Sequence, residues 1–339
     1  MSKREELIAI LDAATLSAVQ GSARNEPFWN DFTLQVFNYQ ALYNPLYAKY
    51  LDLLGVKPSS VQTPDRIPFL PIELFKSYQI QTGTWEPQHI FSSSGTTGQT
   101  PSQHLLRDAE WYKIQARRAF NLFYGPLHSY TILALLPSYL ERNGSSLVFM
   151  AEDFIQQSGH TLSGFYLHDL KTLRDTLRIC QNEGMPVILL GVSFALLDLA
   201  EEFPMPLKNT IIMETGGMKG RREEITRETL HQILQKAFEV PYIHSEYGMT
   251  ELLSQAYSKG DGRFQPGSAM KISIREVTDP LSIRPIGQTG GINITDLANL
   301  DTISFIATED LGRLHDDGSF EVLGRMDQSE IRGCNLMVE

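Results

Sequence analysis

The chain has 339 residues, 42% hydrophobic and 20% charged, an ordinary composition that can bury one large core or two modest ones. Its formal charge of −11 excludes a sequence-independent nucleic-acid binder and a protein held on an anionic membrane, since either needs a concentrated basic face. No apolar run reaches the roughly 18 residues of a membrane span; Lys3, Arg4, Glu5, Glu6 and Asp12 leave no signal-peptide core, so a cytoplasmic protein with small-molecule partners is expected.

Residues 3–20 place Leu7, Ile10, Leu11, Ala14 and Ala18 on one face of a predicted packing helix. Residues 25–54 carry Phe28, Trp29, Phe32, Phe37, Tyr39, Tyr43, Tyr47 and Tyr50, a mostly helical aromatic stripe expected to be core rather than a ligand box. Pro58, Pro64, Pro68 and Pro71 break the next stretch into extended pieces. Residues 91–101, FSSSGTTGQTP, suit neither a helix interior nor a packed strand. Gly95 and Gly98 allow close backbone approach, and Ser92, Ser93, Ser94, Thr96 and Thr97 add hydroxyl donors, so the span can wrap an anion such as phosphate. A flexible surface loop has the same composition, and the spacing is not that of a Walker loop.

Tyr112, Ala116, Ala119, Phe120 and Phe123 mark a helix, followed by predicted strands at 131–136 and 146–150, a helix at 168–182, a strand at 186–190, a helix at 194–203, a strand at 210–213 and a helix around Leu230, Ile233, Leu234 and Ala237. This alternation predicts a mainly parallel, helix-covered α/β sheet whose ligands sit at the carboxyl ends of strands. From about residue 260 the pattern alternates apolar and polar, with short strands at 270–274, 291–295, 303–307 and 320–323, and predicts a small antiparallel or barrel-like subdomain. Three parts are expected: an α/β core over 1–260, a β-rich subdomain over 261–324, and a tail over 325–339. Cys180 and Cys334 have no metal-ligand spacing and form no disulfide framework. Cys180 falls on the face of Leu170, Leu173 and Leu177 and reads as a buried small hydrophobe.

Several stretches, in order, resemble the adenylate-forming superfamily of acyl-CoA synthetases, luciferases and peptide-synthetase adenylation domains. The loop SSGTTG is similar to its phosphate loop; ETGG at 214–217 is similar to a glycine pair lining the adenine pocket; EYGMTE at 246–251 is similar to its adenine and magnesium motif. TEDLGRLHDDG at 308–318 resembles the T-G-D-x-G-R segment, with Glu309 in place of the usual Gly, and GRMDQSEIRG at 324–333 resembles the hinge segment. The resemblance implies adenine at Gly216, Gly217, Tyr247 and Gly248, phosphate and Mg²⁺ at Thr250 and Glu251, both ribose hydroxyls on Asp310 with Arg325 nearby, and a hinge at Asp327. A flat ring offers a π face to a base, and a hard carboxylate oxygen suits Mg²⁺.

Two departures narrow this. The family's phosphate loop ends in Pro-Lys, whereas Pro101 is followed by Ser102, and relatives that make CoA thioesters continue about a hundred residues beyond the hinge as a lid domain, expected to be absent here. IPFLPIELFKS at 67–77 and the ending RGCNLMVE resemble the acyl-protein synthetases of bacterial bioluminescence operons, whose C-terminal cysteine takes the acyl group from the adenylate. That resemblance implies ATP, Mg²⁺, a fatty acid, Cys334 as acyl acceptor, and a reductase or acyltransferase as onward partner. Seven residues separate Asp327 from Cys334, a reach of at most about 25 Å. In an extended tail Arg332 would share a face with Cys334 and favour its thiolate. The competing readings are a CoA ligase of aryl or fatty acids, a catalytically silent nucleotide-binding protein, and a hydrolase whose nucleophile elbow is approximated by Gly191-Val-Ser-Phe-Ala195.

Overall fold

The computed structural model describes residues 1–93, 100–137, 144–167, 169–216, 222 and 225–326. The chain opens with α1 (Lys3–Val19), α2 (Glu26–Tyr43) and α3 (Pro45–Leu53), then β1 (Leu70–Pro71), a 3-10 turn (Ile72–Lys76), β2 (His89–Ser92) and β3 (Gln103–Leu106). Next come α4 (Ala109–Tyr124), β4 (Thr131–Leu135), α5 (Ser146–Ser158), β5 (Gly164–Phe165), α6 (Leu170–Asn182), β6 (Val187–Val192), α7 (Ser193–Glu202), β7 (Thr210–Thr215), α8 (Arg227–Phe238) and β8 (His244–Tyr247). The remainder is β-structure: β9 (Ala256–Ser258), β10 (Arg263–Pro266), β11 (Met270–Arg275), β12 (Thr289–Asp296), β13 (Phe305–Leu314) and β14 (Phe320–Arg325).

The expected α/β alternation is present as a parallel run β5-β4-β6-β7-β8. Every residue of β4 and β6 is buried, as continuous apolar strands covered on both faces require. Beyond β8 the pairing turns antiparallel through β9, β10, β14, β13, β12 and β11, so the whole is one mixed strand order. The expected boundary at residue 260 falls between β9 and β10, which are hydrogen-bonded neighbours.

One expected strand is a helix. Residues 146–150, SLVFM, begin α5, because Ser145 caps it by accepting from the Val148 N–H and because Arg117 on α4 grips the buried Asp153 with two hydrogen bonds of 2.7 and 2.5 Å. A four-residue apolar run, Leu147 to Met150, fits either period, and the cap and tertiary contacts decided it. Most of the aromatic stripe is core: Phe32, Phe37 and Tyr47 are buried, and Phe37 and Tyr47 pack on Phe305 of β13, whereas Phe28 and Tyr43 are exposed. Cys180 is fully buried on α6 beside Leu173 and Leu177. Among the described residues no helix is long and apolar enough to cross a membrane.

Candidate functional site

The carboxyl ends of the parallel strands β7 and β8 lie side by side, with Thr215 in register with Glu246, and the segments expected to bind nucleotide follow directly. Gly216 leaves β7 with φ +69°, and its carbonyl accepts from the Ser193 hydroxyl at 2.7 Å. Tyr247 ends β8. Its hydroxyl donates to Asp310 Oδ2 of β13 at 2.8 Å across 63 positions of sequence, and its ring is packed against Phe264 and Phe320. Asp310 is the register partner of Arg325, whose Nε lies 3.6 Å from Asp310 Oδ1. Burial raises the Asp310 carboxyl, while the Tyr247 hydroxyl and the Arg325 charge work against that rise. Three residues from three separate motifs therefore meet.

Glu251 forms the second cluster. It is buried, and its Oε1 accepts a short hydrogen bond from the hydroxyl of Ser102. The Ser102 N–H in turn donates to Ser93 Oγ at 2.8 Å, and the Ser93 N–H to the Ser102 carbonyl at 3.1 Å, so Glu251 is tied to the base of the β2–β3 hairpin. Burial raises the Glu251 carboxyl; Ser102, Arg325 and Lys76 oppose that rise. Arg325 thus acts on both clusters, and Lys76 reaches the second from the 3-10 turn packed on β3 and β13.

The backbone that carries Thr250 and Glu251 is clamped from outside. His104 Nδ1 lies 2.8 Å from the Thr250 carbonyl, an acceptor only, so that nitrogen carries the proton. Burial lowers His104 to about 4 and keeps the ring neutral, with Nε2 facing the Thr302 hydroxyl at 3.0 Å. Asn299 Nδ2 donates to the Glu251 carbonyl at 2.8 Å, and Asp296 accepts from the N–H groups of Leu253 and Ser254. Behind Tyr247, the buried Glu246 accepts from Thr215 Oγ1 at 2.5 Å, and burial raises its carboxyl to about 7. A Cβ on Gly248 would come within 2.5 Å of Glu246 Oε1, so any larger residue there would have to displace that carboxyl.

Among the expected site residues, Ser92, Ser93, Gly216, Tyr247, Gly248, Thr250, Glu251, Asp310 and Arg325 are described. Ser94, Gly95, Thr96, Thr97, Gly98, Gly217, Asp327 and Cys334 lie outside the described residues. Ser102, His104, Asn299 and Glu246 were not assigned from sequence. Ser102 was visible only as a departure from the Pro-Lys pattern, and the other three became partners only through the fold. Glu251 has no cluster of further metal ligands around it: among the described residues no group of three or more His, Cys, Asp or Glu side chains could hold a metal ion. One hard, buried carboxylate still fits a Mg²⁺ that draws its other ligands from water and phosphate oxygens.

No protein-family model matches the sequence, and no curated protein matches it. Solved structures do. The chain is similar to 2-hydroxyisobutyryl-CoA ligase in an open conformation with 2-HIB-AMP and CoA, at 14% identity and a TM-score of 0.65, over 88% of this chain and 70% of that one. The same ligase in its thioesterfication state gives 15% identity and 0.66, over 87% and 67%. ATP-bound MatB from Rhodopseudomonas palustris gives 16% identity and 0.53, over 70% of this chain and 47% of that one, so this match spans about half the length of MatB. At these identities the likeness establishes the fold alone, which the chain shares with 2-hydroxyisobutyryl-CoA ligase and MatB.

Proposed function

We propose that this chain activates a carboxylic acid, by resemblance a fatty acid, with ATP and then carries the acyl group on Cys334. The observation that carries the reading is the 2.8 Å bond between Tyr247 and Asp310, which joins the residue expected at adenine to the residue expected at ribose. The nucleotide-bound and adenylate-bound ligases of the same fold support it.

In the first half-reaction a carboxylate oxygen of the acid attacks the α-phosphorus of ATP; pyrophosphate departs and acyl-AMP forms. Asp310 accepts from the ribose hydroxyls, with Arg325 beside it, and Gly216, Gly217, Tyr247 and Gly248 border adenine. Ser92, Ser93 and the loop from Ser94 to Gly98 donate to the triphosphate. Glu251 would hold Mg²⁺, which when bound stabilises negative charge on phosphate oxygens; Ser102 fixes the rotamer of that carboxylate, and His104 and Asn299 fix its backbone. In the second half-reaction the Cys334 thiolate attacks the acyl carbonyl, the bond to phosphate breaks and AMP leaves. Asp327 serves as hinge for this transfer, and a reductase or acyltransferase then accepts the acyl group. On this reading residues 1–260 form the core, 261–324 the β-rich subdomain, and 325–339 the hinge and carrier tail.

Intact-protein mass spectrometry after incubation with ATP, Mg²⁺ and a mixture of acids tests the proposal. The expected result is an acyl mass on the chain, removed by hydroxylamine and absent from Cys334→Ser. Acyl-CoA formed in solution with an unlabelled chain would instead favour a CoA ligase.

A further inference from the structure

Ser102 follows Pro101 where the resembled phosphate loop has lysine, and its hydroxyl is engaged by the buried Glu251 carboxylate. Charge that gathers on departing phosphates needs a fixed cation close by. If the chain activates an acid as proposed, that cation comes from another element.

The turn Ile72–Lys76 brings one to the site. β1 runs parallel to β13, with Leu70 opposite Ile306 and Pro71 opposite Ala307, so the chain enters the turn alongside residues 308–310. The turn packs on β3 as well as on β13. Phe75 is buried, and its ring meets that of His104 edge-on with 5.7 Å between centroids. His104 in turn holds the Thr250 carbonyl, one residue before Glu251. Phe75 is therefore seated on a residue that positions the Glu251 backbone, and Lys76 is the next residue in the chain. Its charge bears on Glu251, whereas the charges that bear on Asp310, at the expected ribose end, are those of Arg325, Glu309 and Arg227.

Lys76 is half-buried and has no hydrogen-bond or ion-pair partner among the described residues. Glu73 stands three positions earlier on the same turn and could have paired with it. Instead the Glu73 carboxyl shares a hydrogen bond with Glu309, and Lys76 acts on it only from beyond ion-pair distance. Glu309 is the residue found where the resembled segment has Gly. That departure therefore occupies Glu73 and leaves the ammonium group beside Glu251 without a carboxylate.

We propose that Lys76 binds the two phosphates of ATP that leave as pyrophosphate, supplying the positive charge that Ser102 does not. The proposal rests on the activation reading and adds a phosphate-binding residue to it. As the bond from the α-phosphorus to the bridging oxygen breaks, the negative charge left on pyrophosphate is met by Lys76 Nζ, with no proton transferred.

Equilibrium dialysis of the full chain with MgATP and, separately, with AMP tests this on wild type, Lys76→Ala and Lys76→Met. Met keeps an unbranched apolar stem and removes the charge. AMP lacks the two phosphates, so it monitors folding and the adenine and ribose contacts. The expected result is MgATP binding at least about tenfold weaker in both variants, with AMP binding within about twofold of wild type. MgATP binding unchanged in either variant, or ATP and AMP weakened alike, overturns the proposal. A wild type that binds no MgATP overturns the activation reading and this proposal together. Acid-dependent ATP–pyrophosphate exchange in the wild type, with MgATP binding unaltered in the variants, overturns this proposal alone.

Discussion

Glu246→Gln should shift stability relative to wild type more favourably at alkaline pH than at acidic pH. Glu246 is buried at the end of β8, and burial lifts its carboxyl from an ordinary 4.5 to about 7, with the hydrogen bond from Thr215 opposing and the charge of Glu214 adding to the rise. The sign follows from proton counting: between these values the folded chain holds a proton that the unfolded chain has released, so wild-type stability falls as pH rises through 4.5 to about 7. At about 1.4 kcal/mol per pH unit the loss reaches about 3 kcal/mol by pH 8. With an unfolding entropy of about 2.1 cal/mol/K per residue, a chain of this length gains about 4 °C in Tm when that term is removed. Gln keeps an acceptor for Thr215, and whatever offset its NH₂ group introduces is the same at every pH. The assay is calorimetric melting of both proteins at pH 5 and pH 8. The Tm difference, variant minus wild type, should be about 4 °C larger at pH 8; equal differences at the two pH values would refute the assignment of this titration to Glu246.

Four further outcomes follow from the site. Tyr247→Phe removes the hydroxyl from buried Asp310 and should cost about 1–2 kcal/mol in urea unfolding, while raising the KM for ATP more than it lowers kcat. Ser102→Ala removes the hydroxyl from buried Glu251 at a similar cost of about 1–2 kcal/mol, frees the Glu251 rotamer and should reduce acid-dependent turnover about tenfold, shifting the Mg²⁺ requirement to higher concentration. Lys76→Ala should lower adenylation about 10- to 100-fold if Lys76 supplies the cation that Ser102 does not; unaltered turnover would remove Lys76 from the site. His104, neutral when folded and lowered to about 4 by burial, acts oppositely to Glu246: the unfolded chain binds a proton first as pH falls below about 6.5, so stability should drop from there toward pH 4, by about 3 kcal/mol in full. A His104→Gln protein should lose that part of the acid dependence in denaturant melts.

The fold was legible where local pattern and burial agree. The runs in β4 and β6 read as strands because both faces are covered, and the face of Leu173, Leu177 and Cys180 read as a helix because its apolar residues recur at helical spacing. Residues 146–150 misled because four consecutive apolar residues after Ser146 carry no period, and the Ser145 cap and the Arg117–Asp153 pair that settle the matter involve residues outside that window. In the candidate site, motif order singled out Tyr247, Glu251 and Asp310 as candidates, and the Tyr247–Asp310 bond joins β8 and β13, which three strands separate in the sheet order. The positions that hold them were invisible for the opposite reason. His104, Asn299 and Asp296 are ordinary polar residues in sequence, and only the fold sets them against residues 250–254.

The most direct test of the account is ATP–pyrophosphate exchange measured with Mg²⁺ and a panel of carboxylic acids, using wild type, Asp310→Ala and Cys334→Ser. The account predicts exchange that depends on the acid, persists in Cys334→Ser because the first half-reaction does not use that thiol, and is lost in Asp310→Ala. Exchange with no acid in the panel, in a chain that still binds ATP, would contradict it.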